Sequence, residues 1–283
     1  MSYYLGFHPE DGRVGTVWFI DDMEAKRVDA PQGPYPVAPG TIPPNFAFPD
    51  LPSWRFYPTK FVPGQYYPRI ARPIIAHPHE SPGMSPNIDN SLVQTSRGQL
   101  VALREQLERI FRTVHPIQQN FEAFGHDIRN LLILAATEVE AHWKGVLRAN
   151  SAKGESTKDY VKLLPVMKLN AYTIELPLYP WLGPIRPFQS WSPNPSTQSL
   201  SWYDAYNAVK HDREDHFRRA SLANALQAVC AVAIMNYAQF GLYADNRNVQ
   251  QFFALKERPK WDPDEIYAIW NSSSGLSATT YPF

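Results

Sequence analysis

In SWYDAYNAVKHDRE, residues 201–214, Asp204, Asn207 and His211 are spaced by three and four, so a helix through this stretch carries them on one face. Asp215 and Arg218 extend the same stripe, and Lys210, Arg213 and Glu214 lie beside it. An imidazole with a neighbouring carboxylate and cations can take and return a proton, while a lysine or arginine can hold an anionic group such as phosphate. The bland alternative is a solvated helix face closed by internal ion pairs, Lys210 with Glu214 and Glu214 with Arg218.

The elements that must position these residues are legible in the apolar period. Leu100, Leu103, Leu107, Ile110, Phe111 and Val114 recur at helical steps from Ser96 onward, and Pro116 marks a break. FEAFGHDIRNLLILAATEVEAHWKGVLRAN then reads as one long core helix, and TKDYVKLLPVMKL as a short one with Thr157 at its N-cap. AYTIELPLYPWLGPIRPFQSW is broken by prolines and reads as an extended insertion or small hairpin. The last strong helix is expected from Leu200 to about Phe240, with Leu222, Leu226, Val229, Ala233, Tyr237 and Phe240 as its stripe. WDPDEIYAIW adds a short helix near the end.

Ahead of these helices, SYYLGF and RVGTVWFI flank HPEDG, an Asp-Gly turn signal that predicts a hairpin over residues 1–30. Most of the 27 prolines precede residue 90. Proline fixes φ and lacks an N–H, so residues 31–92 are expected to run extended rather than form a sheet core. That segment also carries Phe46, Phe48, Trp54, Phe56, Tyr57, Phe61, Tyr66 and Tyr67, so it should pack, on its own helical domain or on a partner. The expected architecture is mainly α: a hairpin leader (1–30), an extended Pro/aromatic segment (31–92), a helical bundle (95–242) with an inserted loop (168–199), and a C-terminal extension (243–283) with a short helix.

Composition narrows the function classes. Lys and Arg together match Asp and Glu at 27 each, so no global positive field draws in nucleic acid or an anionic membrane, any nucleic-acid contact must be local, and nothing points strongly to DNA. The lone Cys230 lies in ALQAVCAVAIM and reads as core. The start of the sequence carries neither a signal-peptide pattern nor a membrane anchor, which points to the cytoplasm. Glycines do not cluster, so P-loop, dinucleotide-fold and nucleophile-elbow chemistries are disfavoured. His77 and His79 with Glu80 form an isolated H-x-H without a third well-spaced ligand. No cofactor or metal is expected.

YNAVKHDRE, in a helix that follows one bearing LAATEVEAHWKGVL, resembles the HEPN superfamily of helical proteins, many of which are metal-independent endoribonucleases of toxin–antitoxin, antiviral and RNA-processing systems. The resemblance implies an HEPN-like bundle over about 95–240. In it Asn207 matches the motif's polar residue and His211 its histidine, whereas Tyr206 stands at the position of the family's arginine. A tyrosine hydroxyl carries no positive charge, so Lys210 or Arg213 would have to supply it. Family members pair their motif helices across a cleft, which implies RNA and a homodimer or partner protein as partners. Glu138 or Glu140, on the preceding helix, would then orient His211; their other reading is i,i+4 pairing with His142 and Lys144. If Tyr206 disables the chemistry, the same scaffold serves as a non-catalytic interaction or assembly module.

Overall fold

The two aromatic runs at the start pair as expected. Strands β1 (Ser2–Phe7) and β2 (Val14–Ile20) are antiparallel, with Tyr4 opposite Trp18 and Leu5 opposite Val17. A computed structural model describes residues 2–7, 14–28, 33–37, 55–73, 89–241, 251–268 and 279–281; the HPEDG turn, Phe46, Phe48, Trp54 and the His77–Glu80 stretch lie outside them. The chain divides into two units, Met1–Asn87 with Lys260–Phe283, and Ile88–Pro259.

In the first unit the hairpin is the centre of something larger. Strands β3 (Glu24–Arg27), β4 (Tyr35–Pro36) and β5 (Arg55–Pro58) complete a five-stranded antiparallel sheet in the order β4-β3-β2-β1-β5. About 48% of the described residues are helical and 16% lie in strands, so the mainly α expectation is overturned: the protein combines a sheet unit and a helical unit. The error lay in reading proline as a bar to strands. Pro36 and Pro58 sit in the two outermost strands, where a residue can do without a ladder N–H.

Strand alternation gives this sheet two buried faces. Tyr4, Trp18, Ile20, Ala25 and Phe56 form one, and Leu5 and Val17 form the other with Ile266 and Ala268 from the chain's last segment. That last segment is therefore part of the sheet unit and not a free extension. It forms a 3-10 turn at Pro263–Glu265 in place of the expected helix, capped reciprocally by Asp262 and Glu265.

The aromatic leader packs within its own unit, around one buried cation. The Arg72 guanidinium carbon lies 4.5 Å from the Trp261 ring centre, 5.2 Å from Tyr67, 5.3 Å from Phe61 and 5.8 Å from Tyr267. Its Nη1 donates to the Glu265 carbonyl, and the Tyr267 hydroxyl accepts from the Tyr67 N–H and donates to the Ile70 carbonyl. A desolvated cation on several rings is strongly held, so Arg72→Ala is expected to destabilise the sheet unit by about 2 kcal/mol. Chemical denaturation followed by near-UV circular dichroism reads this; an unshifted midpoint would show that the rings pack equally well without the cation. Strand β6 (Gln65–Tyr66) belongs to the same unit.

In the helical unit, α1 (Asn90–Phe111) begins six residues before the expected start because the Asp89 carboxylate caps the N–H groups of Ser91 and Leu92. Helix α2 spans His126–Ala149, leaving Phe121 and Phe124 in the connection before it. The next pieces are α3 (Thr157–Tyr160) and α4 (Leu163–Met167). Ser156, not Thr157, is the N-cap of α3, in a capping box with Asp159.

The predicted insertion is a pairing element. Its strand β7 (Thr173–Glu175) joins β8 (Ala254–Glu257) antiparallel, and Phe188 and Trp191 from the same stretch are buried. The single helix expected from Leu200 to Phe240 is broken into α5 (Ser201–His211), the short α6 (Arg213–His216), a 3-10 turn at Phe217–Arg219, and α7 (Leu222–Phe240). Two caps break it. Asp212 is extended and accepts the Asp215 N–H, and Ser221 accepts that of Asn224. Helix α7 is mostly apolar and almost wholly buried, and α1, α2 and α5 pack on it. Cys230 lies at 0% exposure within it, its thiol kept protonated by burial. The chain's last described strand, β9 (Thr279–Thr280), pairs parallel with β6 in the sheet unit.

Candidate functional site

Helix α5 buries Trp202, Tyr203, Ala205, Tyr206 and Val209 against α2 and α7, which leaves Asn207 half-buried and Lys210 and His211 exposed. The helix ends at His211, so the stripe read through Asp215 and Arg218 does not continue. Of the pairs expected for one uninterrupted helix, Lys210–Glu214 loses its spacing at Asp212, and Glu214–Arg218 loses its spacing where α6 gives way to the 3-10 turn at Phe217.

Two buried tyrosines carry the polar side of α5. The Tyr206 ring is 1% exposed, and its hydroxyl accepts a 2.8 Å hydrogen bond from the Lys210 ammonium, one turn further along. The cation lies 4.9 Å from the ring centre. This bond to Tyr206 holds the Lys210 pKa above the ordinary lysine value, so its charge is secure at neutral pH. A positive group therefore stands at the Tyr206 hydroxyl.

One turn back, the Tyr203 hydroxyl donates to Glu140 Oε1 at 2.5 Å. Burial, then the neighbouring carboxylate, push the Tyr203 pKa far up, so the phenol remains a proton donor. Glu140 Oε2 pairs with Lys144 at 3.5 Å, and the Tyr160 hydroxyl lies near enough to Lys144 to influence its charge. Burial opposes the Lys144 charge, yet Tyr160 and Glu140 outweigh it and raise its pKa. Glu140, Lys144, Tyr160 and Tyr203 thus form a polar network joining α2, α3 and α5, with Tyr206 and Lys210 beside it. Tyr203 and Tyr160 were not among the candidates read from the sequence, where Lys144 entered only as a pairing partner of Glu140.

Neither predicted carboxylate orients His211. Glu140 is taken up as described, and Glu138 lies 3.5 Å from Nε2 of the buried His142. The Gln239 amide nitrogen donates to the Met235 carbonyl and lies 2.7 Å from His142 Nδ1; as a donor to Nδ1 it leaves the imidazole proton on Nε2, facing Glu138. Burial raises the Glu138 carboxyl pKa. An unfolded Glu138 loses its proton near the ordinary value while the folded one keeps it to higher pH, so stability falls as pH rises through that window. The thermal midpoint of wild type should drop relative to Glu138→Gln as pH rises from the ordinary glutamate range toward neutrality. A constant difference across that range would contradict the burial of a charge at Glu138.

Asp204 pairs with Arg219, tying the 3-10 turn back to α5. The His211 side chain makes no hydrogen bond or ion pair with any described residue. Arg213 opens α6, and its side chain lies outside the described part of the structure. The Arg129 guanidinium donates to the Val209 carbonyl at 3.4 Å, which sets the last turn of α5 beside the first turn of α2.

Among the described residues no three His, Cys, Asp or Glu side chains gather as a metal site, and no helix is long and apolar enough to cross a membrane. Comparison with protein-family models, with curated proteins and with solved structures gives no match to this chain.

Proposed function

We propose that the protein is an RNA-directed, metal-independent endoribonuclease of HEPN type, acting through the exposed end of α5. The observation that carries this reading is the Lys210 ammonium bound 2.8 Å from Tyr206 Oη, next in sequence to an exposed His211. Phosphate needs a cation, and the motif's lost arginine charge is supplied by Lys210.

In the reaction the His211 imidazole takes the proton of a ribose 2′-hydroxyl, whose oxygen attacks the adjacent phosphorus. The new O2′–P bond forms as the P–O5′ bond breaks, leaving a 2′,3′-cyclic phosphate and a 5′-hydroxyl after the departing oxygen gains a proton. Lys210 offsets the charge that builds on the non-bridging oxygens, and Asn207, one turn before His211, orients the phosphate. Two copies pairing through the exposed ends of α5 would enclose the RNA between two such sets. A cytoplasmic setting in bacterial stress or antiphage defence belongs to the same proposal.

The test is cleavage of single-stranded RNA by the purified chain with EDTA present, wild type beside His211→Ala. Cleavage lost in a folded variant supports the reading. Absence of cleavage by wild type would leave α5 as an interaction surface.

A further inference from the structure

An open cavity of about 380 Å³ lies between the end of α1 and the start of α2, lined by Arg109, Ile110, Thr113, Phe124, His126 and Asp127 among others. We infer that this cavity is a subsite for one unpaired base of a single-stranded RNA, an inference that rests on the RNA-directed reading above and adds where the strand is held.

The volume sits at the low end of small-ligand sites, which suits a single nucleotide unit better than a larger ligand. Its wall has the chemistry of base recognition. Phe124 is 41% exposed, so its ring is within reach of a ligand, and it meets Phe217 edge-on at 5.7 Å. The exposed His126 ring lies 5.1 Å from Phe217, and the Arg218 guanidinium 5.4 Å from the Phe124 ring centre. Bases of single strands stack on such rings and guanidinium planes, which accept any base because each has a π-face.

Charge favours an anionic strand. Arg109 lines the cavity and Arg218 lies at Phe124, against the single carboxylate of Asp127, which can accept a hydrogen bond from an exocyclic base amine. The Thr113 hydroxyl donates to the Ile110 carbonyl and keeps lone pairs free to accept.

Position links the cavity to the motif helix. Phe217 and Arg218 follow α6 directly, and the Arg129–Val209 bond places the end of α5 beside the first turn of α2. A strand seated in the cavity would thus have its neighbouring phosphates near the α5 terminus that carries Lys210 and His211. A duplex, with its bases stacked inward, has none to offer.

The experiment measures fluorescence anisotropy of a labelled 2′-O-methyl oligoadenylate, whose blocked 2′-oxygens prevent cleavage, against wild type, Phe124→Leu and Arg109→Gln, each checked for fold by circular dichroism. Saturable binding by wild type is expected, weakened about 5- to 150-fold by Phe124→Leu, the range measured for removing one stacking contact. Arg109→Gln should weaken binding and lower its salt dependence by about one counterion. The 2′-O-methyl duplex should bind more weakly than the single strand. No saturable binding, or binding that both variants leave unchanged, overturns the subsite even if wild type cleaves RNA. Variant-sensitive binding by a chain that cleaves nothing would keep the subsite and remove the ribonuclease reading.

Discussion

His211→Ala is expected to lower the rate of RNA cleavage by about 10²–10⁴-fold, the usual contribution of a positioned proton-transfer group. The side chain is exposed and makes no hydrogen bond, ion pair or ring contact with a described residue, so its removal should leave the thermal midpoint unchanged. That separation of activity from stability is the useful feature of the variant. Lys210→Met should act through a different term. It removes the ammonium at Tyr206 Oη, and the loss of one preorganised charge at a developing oxyanion costs about 10²–10³-fold. Lys210→Arg keeps the charge and should recover most of the rate. Cleavage assays of these variants on one RNA decide the matter, and activity indifferent to both positions would remove α5 from the chemistry.

Trp143→Ala is expected to destabilise the helical unit by about 3–5 kcal/mol, a large share of the 5–15 kcal/mol that a domain has in total. The indole is 0% exposed and stacks on Trp191 with ring centres 4.8 Å apart and planes inclined by 24°. Tyr160, Tyr203, Phe188 and Trp202 also surround it, at 5.2, 5.3, 6.3 and 6.2 Å. It therefore joins α2 and α5 to the stretch that carries Phe188 and Trp191. Tyr203 and Tyr160 are also members of the polar network on Glu140 and Lys144, so a cavity at Trp143 loosens the support of α5 as well as the core. Urea unfolding followed by far-UV circular dichroism should show the lower midpoint. A change below about 1 kcal/mol would mean that the surrounding rings collapse into the space.

The helical half was legible where apolar residues kept a period. Leu131, Leu132, Ala135, Val139, Trp143 and Val146 are all buried along α2, and the α7 stripe from Leu222 to Phe240 is buried as read. Between them, residues 210–219 are almost all polar and carry no period, so the break at Asp212 left no apolar trace. An aspartate followed three residues later by Asp215 was the available cap signal, and it reads equally well as a helix surface. The sheet was under-read because β4 and β5 are short and contain proline, features that local propensity counts against strands and that edge positions tolerate. Pairings such as Thr173 with Glu257, and the packing of Ile266 and Ala268 on the sheet, join distant parts of the chain and have no local signal.

At the candidate site, the four-residue spacing of Tyr206 and Lys210 was visible and the two do meet. The same spacing put Glu138 with His142 and Glu140 with Lys144, in keeping with the plainer of the two readings of those carboxylates. Tyr203 was hidden because a tyrosine at helical period reads as core. Its ring is indeed buried, and only its hydroxyl reaches Glu140.

The most direct test of a metal-independent ribonuclease at α5 is the chemistry of the cut ends. Single-stranded RNA incubated in EDTA with the purified chain should yield 2′,3′-cyclic phosphate and 5′-hydroxyl termini, and His211→Ala should yield neither. Intact RNA, fragments with 3′-hydroxyl and 5′-phosphate ends, or equal cleavage by the variant would contradict it.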